Sequence, residues 1–197
     1  MQISVSWAQH SRTLMIPIQI RQELDPSSLE ALSEEQRETA EDAGELDGNH
    51  HYSDLSFATW DDVAYALEVE GRLISHWHAF EDRGAVLAEL DERRESEDER
   101  EALWQLELGV AAAVMALNVL GAHTVLSCNG GQFGGTHLRD CPSIRFYPQR
   151  AAIEDLLRLA RASGVGLINE EARALLYAAD VRDLQRFAAN ALQWHGT

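Results

Sequence analysis

The sequence predicts an α+β chain, with a small antiparallel or mixed sheet and helices packed on it in the carboxy-terminal half, and an acidic α+β region before it. Three observations carry this. Four short apolar runs, at 123–127, 143–147, 165–169 and 173–178, have the length and residue types of strands. Two stretches, 151–162 and 181–194, space apolar residues three and four apart beside glycine and aspartate end signals. A nearly all-apolar segment, Leu103–Leu120, reads as a buried helix. The resulting order, α-β-β-α-β-β-α, is that of a sheet covered by helices.

From the amino terminus, Ile3, Val5 and Trp7 alternate with polar residues as a half-buried strand does. Leu14–Ile20 pairs with it as an edge strand, because Pro17 removes a ladder donor. A helix is expected from Asp25 to Ala43, peripheral because it buries little beyond Leu29 and Leu32, and ended by Gly44. Thr59 followed by Asp62 forms a capping box for a helix that carries Val63, Ala66 and Leu67 inward and stops at Gly71. Arg72–Phe80 then reads as a strand. Helix propensity is high from Ala85 to Leu120, but Asp91–Glu101 has no apolar residue. That bridge sits inside one long helix or between two, and the domain boundary is placed there. Residues 1–100 form the acidic region and 101–197 a neutral α+β domain holding a glycine-rich loop at 128–141. In the second half, Ile153, Leu156, Leu157 and Ala160 line the helix that Gly164 ends, and Asp180 caps the last helix.

The net charge of −17 is unevenly placed. Residues 102–197 hold eight acids and eight arginines, so residues 1–101, with 25 acids and eight arginines, carry all of it. Such asymmetry suits solubility or a basic partner, and it opposes nucleic acid binding through the acidic half. All 16 basic residues are arginine. Without lysine there is no Schiff-base chemistry and no P-loop lysine. No apolar run approaches the roughly 20 residues of a membrane span. The start, MQISVSWAQHSR, is not that of a signal peptide, and two cysteines make no disulfide framework. The expectation is a soluble cytoplasmic protein.

The most informative segment is CNGGQFGGTHLRDC, Cys128–Cys141, between two predicted strands. Hairpin connections this long tend to be binding loops. Glycines let backbone amides approach a ligand and form an anion-binding nest. Asn129, Gly130, Gly131, Gly134, Gly135 and Thr136 are the candidate ligand-binding positions, with Arg139 and Arg145 as countercharge. The glycine spacing is not G-x-G-x-x-G, and the loop leads into a strand, so it is no nucleotide fingerprint. Cys128 and His137 are a candidate nucleophile and base. A lone strand-end cysteine is more often a small buried apolar residue.

Two donor sets have the chemistry for zinc. His123, Cys128, His137 and Cys141 provide two imidazoles and two thiols, although without the short paired spacing of a zinc finger. His76 and His78 share one face of the strand expected at 72–80. Both sets have simpler structural explanations, and no cofactor is assigned. The reading is a small acidic interaction or ligand-binding protein, an accessory, regulatory or neutralising component of a bacterial system. Its acidic first half meets a basic protein surface, and its glycine loop binds a partner segment or a small anionic ligand. The alternative is an enzyme using Cys128 and His137 on an anionic substrate.

Overall fold

The computed structural model describes residues 18–79, 83–96, 98–133 and 139–196. The expected N-terminal hairpin lies outside these residues except for positions 18–20. The chain is α+β, as its pattern predicts. In order it forms α1 (Glu34–Ala43), α2 (Trp60–His78), α3 (Arg83–Arg94), α4 (Ala111–Val119), β1 (His123–Asn129), β2 (Pro142–Tyr147), α5 (Ile153–Ser163), β3 (Gly166–Glu170), β4 (Arg173–Tyr177) and α6 (Val181–His195).

The strands form one antiparallel sheet in the order β1-β2-β4-β3. Register places Leu176 between Ile144 and Leu167, and Phe146 beside Ala174. All five side chains are fully buried and form the inner face. Period-2 alternation sends their neighbours outward: Leu126, Arg145, Leu175 and Ile168 in one row, and Cys128, Ser143, Tyr177 and Gly166 in the next. Helix α4 packs against β1 and α5 against β3. Helix α6 contacts both α4 and α5, and α2 crosses α4 and α6. One cluster of buried apolar residues takes Val63, Ala66 and Leu73 from α2 together with Met115, Phe146, Leu176 and Phe187. No described helix is long and apolar enough to cross a membrane.

The second half follows its local signals closely. Gly164 ends α5 at φ 72°, and the Asp180 carboxylate accepts the Arg182 N–H to cap α6. Thr59 and Asp62 form the expected capping box on α2.

Three expectations in the first half are corrected. The strand expected at Arg72–Phe80 is helix over residues 72–78, because α2 runs through Gly71 to His78 and buries Leu73 and Ile74 on the stripe begun by Val63; Phe80 lies outside the described residues. A two-residue spacing on a helix does not share a face, so the paired placement of His76 and His78 falls with the strand. The acidic helix begins only at Glu34, where Ser33 supplies a capping box with Gln36; residues 25–28 form a turn held by the Asp25 carboxylate. The segment 103–120 is helical only from Ala111 onward. Gly109 takes φ 94°, and a Cβ there would lie 2.7 Å from the Val181 side chain, so both conformation and space favour glycine. Leu103, Trp104 and Gln105 form a left-handed turn with φ of 51°, 52° and 61°. Helix α3 and helix α4 are therefore separate.

Candidate functional site

The glycine loop leaves β1 through a tightly bonded base. The Asn129 N–H donates to the Glu107 carboxylate at 2.7 Å, and its side-chain amide donates to the Leu108 carbonyl at 3.2 Å. Its Oδ1 accepts the Gly131 N–H at 3.0 Å, an Asx turn that lets the chain leave the strand. Gly130 has φ 66°, and a Cβ there would lie 2.4 Å from the Cys141 carbonyl carbon, so the two arms of the loop touch. Gln132 donates to the Ala179 carbonyl and accepts the Val181 N–H, tying the loop to the start of α6. Phe133 is buried edge-on against Trp77, with ring centroids 5.4 Å apart. These partners give residues 128–133 defined positions.

Cys128 is 3% exposed, and its Sγ accepts the Gly130 N–H at 3.4 Å. Burial pushes the Cys141 thiol above its ordinary range. Gly134, Gly135, Thr136 and His137 lie outside the described residues. Arg139 follows them and forms a two-pronged ion pair with Glu170 of β3, at 2.7 and 2.6 Å, which ties the loop's return arm across the sheet. Arg145 donates one N–H to the Asp47 carbonyl at 2.9 Å, and its Nε is buried without a partner among the described residues.

Arg145 joins a half-buried network on the outer face. The Asp47 carboxylate accepts two N–H bonds from Arg173 and the Tyr147 hydroxyl at 2.8 Å. Burial works against the Asp47 charge, but the Arg173 and Tyr147 bonds outweigh it and hold the carboxyl below its ordinary value. Burial and the neighbouring Asp47 raise the Tyr147 hydroxyl. Arg139 is thus neutralised by Glu170, which an incoming anion would have to displace to be gripped by it, while Arg145 and Arg173 share the neighbourhood of the one Asp47 carboxyl group. Among the described residues no group of three or more His, Cys, Asp or Glu is placed to hold a metal.

A cleft of about 680 Å³ lies beside the edge strand β1. Thr124–Ser127 line it from the sheet, the segment 49–57 forms one wall and residues 99–106 the other. Asn49 fastens the first wall by donating its side-chain amide to the Val125 carbonyl at 2.7 Å. The second wall is the left-handed turn, closed by the Trp104 N–H on the Glu99 carbonyl at 2.8 Å. Tyr52, Phe57 and Trp104 bring aromatic surface to the cleft, and Phe57 is 52% exposed. Among the described residues Glu99 is the carboxylate of the lining, and no arginine belongs to it.

The structure therefore brings Cys128, Asn129, Gly130 and Gly131 together at the loop base and places Arg139 and Arg145 in existing polar networks. Sequence reasoning missed the cleft. Its walls come from segments some 50 residues apart, and no local pattern marks Phe57, Glu99 or Trp104 as neighbours. No protein-family model, curated protein or solved structure matches the chain.

Proposed function

We propose that the chain is an interaction protein that captures a basic partner on its acidic first half, acting as an accessory or neutralising component. The observation that carries this is α1. It buries only Ala40 and presents Glu34, Glu35, Glu38, Glu41 and Asp42 to solvent beside a single arginine. A helix that contributes so little to the core is available for recognition, and its charge suits a cationic surface. The anionic-ligand reading of the glycine loop has less support, because Glu170 already occupies Arg139. The enzyme reading has less again, because Cys128 is packed under the loop.

Titration with an octa-arginine peptide at 50 and 500 mM salt tests the proposal. Changing Glu34, Glu35, Glu38 and Glu41 to glutamine moves the net charge only from −17 to −13. Diffuse attraction would fall slightly, whereas capture centred on α1 falls at least ten-fold at low salt. Binding by the wild type should also weaken by at least ten-fold at high salt, because exposed charges are screened. Absent binding at low salt, or a variant equal to the wild type, would overturn it.

A further inference from the structure

We propose that the cleft beside β1 seats an arginine side chain carried by an extended segment of the basic partner. The inference rests on the acidic-capture reading and gives that capture a specific anchor.

Four features of the cleft converge on this occupant. Its aromatic lining and the Glu99 carboxylate, with no arginine among the described lining residues, suit an organic cation that is stacked on one side and ion-paired on the other. A guanidinium fits such a site better than an ammonium, since it stacks flat and forks to a carboxylate. The chain stacks its own guanidiniums in this way: Arg100 on Tyr65, Arg158 on Trp194 and Arg173 on Tyr147, at 4.9, 4.8 and 5.2 Å. Among the described residues none stacks on Tyr52, Phe57 or Trp104.

The second feature is backbone strain. Three consecutive non-glycine residues in the left-handed region cost on the order of 1 kcal/mol each or more, and such turns persist where their surroundings enforce them. Here fully buried Leu103 anchors the turn, and Trp104, half-buried, is held at the cleft wall. The third is the edge of β1. Among the described residues β2 is its single strand neighbour, and its other side faces the cleft, where an extended segment can lie. The fourth is charge. The 49–57 wall is fastened to the acidic helix α1 through the Arg37–Asp54 ion pair and the Tyr52 N–H on the Gly44 carbonyl.

Three substitutions test the anchor with the octa-arginine peptide at 50 mM salt. Phe57→Ser alters an exposed side chain and Glu99→Gln an exposed carboxylate, and neither should move the thermal midpoint. Trp104→Leu keeps apolar bulk. Each is expected to weaken binding at least five-fold, and an octa-lysine peptide should bind the wild type at least three-fold more weakly than octa-arginine. If all three variants bind like the wild type while the wild type retains its affinity, the cleft is not the seat and acidic capture stands without it. If the wild type does not bind, both readings fall. Equal affinity for octa-lysine would remove the guanidinium. Free arginine amide binding as tightly as the peptide would remove the extended segment.

Discussion

Glu70 shows how much one side chain decides in this molecule. It sits on α2 with no exposed surface, and its carboxylate accepts the N–H groups of Gly109 and Ala111 on one oxygen and of Ala112 on the other, at 2.7, 2.9 and 3.2 Å. It therefore caps α4 from another element and meets the orphan amides of a buried helix start. Burial pushes its carboxyl up to about 7, against the pull of those amides. The folded state then holds a proton that the unfolded chain, at about 4.5, has released. Stability from this group is complete below about pH 4.5 and is lost as pH rises through about 7. The shift corresponds to roughly 3 kcal/mol. In urea unfolding between pH 4.5 and 8 the wild type should lose up to roughly 3 kcal/mol relative to Glu70→Gln, which has no proton to release, and parallel curves would refute the assignment. Glu70→Ala strands three buried amides and should cost about 3 kcal/mol or more. Glu70 was legible in principle. It lies four residues after Ala66 and three before Leu73, on the apolar stripe of α2. Reading 72–80 as a strand cut that stripe and hid it.

At the scale of elements, two glycines separate local from tertiary causes. Gly71 lies inside α2, and a Cβ there would meet nothing within 4 Å. Its sequence position suggested a helix end, but the apolar spacing of Leu73 and Ile74 against the core carries the helix through. Gly71→Ala should stabilise the protein by about 0.5–1 kcal/mol, since alanine loses less backbone entropy. Gly130→Ala should do the reverse. Its φ is positive and its Cβ would strike the Cys141 backbone, so about 2 kcal/mol or more is expected from strain and loop opening. Thermal midpoints of the two variants should move in opposite directions, and a shared direction would contradict the geometry. The same division explains which elements could be read in advance. Strands β1–β4 and helices α5 and α6 match expectation within one or two residues at most ends, because alternation, Gly164 and Asp180 are local signals. The break at 103–110 escaped because it answers to tertiary contacts: Val181 leaves no room for a Cβ at Gly109, and Leu103 is buried in the shared core. The glycine loop was legible as a special segment. The occupation of Arg139 by Glu170 was not, since 31 residues separate them.

The whole molecule sets its charge and its core on different plans. Charge divides near residue 100, with the entire −17 before Ala102, and that division suggested two domains. The core does not follow it. Val63, Ala66 and Leu73 of α2 share one buried cluster with Val114, Met115 and Phe187 of α4 and α6, and Glu70 crosses the same line to cap α4. A fragment of residues 102–197 would keep every strand and lose both the apolar cover and the buried cap. Exposed apolar faces of that kind drive association rather than independent folding. The isolated fragment should therefore bind a hydrophobic dye, aggregate at micromolar concentration and lack a cooperative thermal transition, while adding residues 18–101 in trans should restore the transition. Cooperative unfolding of the fragment alone, with the near-ultraviolet signature of fixed aromatic packing intact, would instead make residue 100 a true domain boundary. The acidic half would then be an independent recognition module, and the cleft, whose walls straddle that boundary, would form only when the two modules dock.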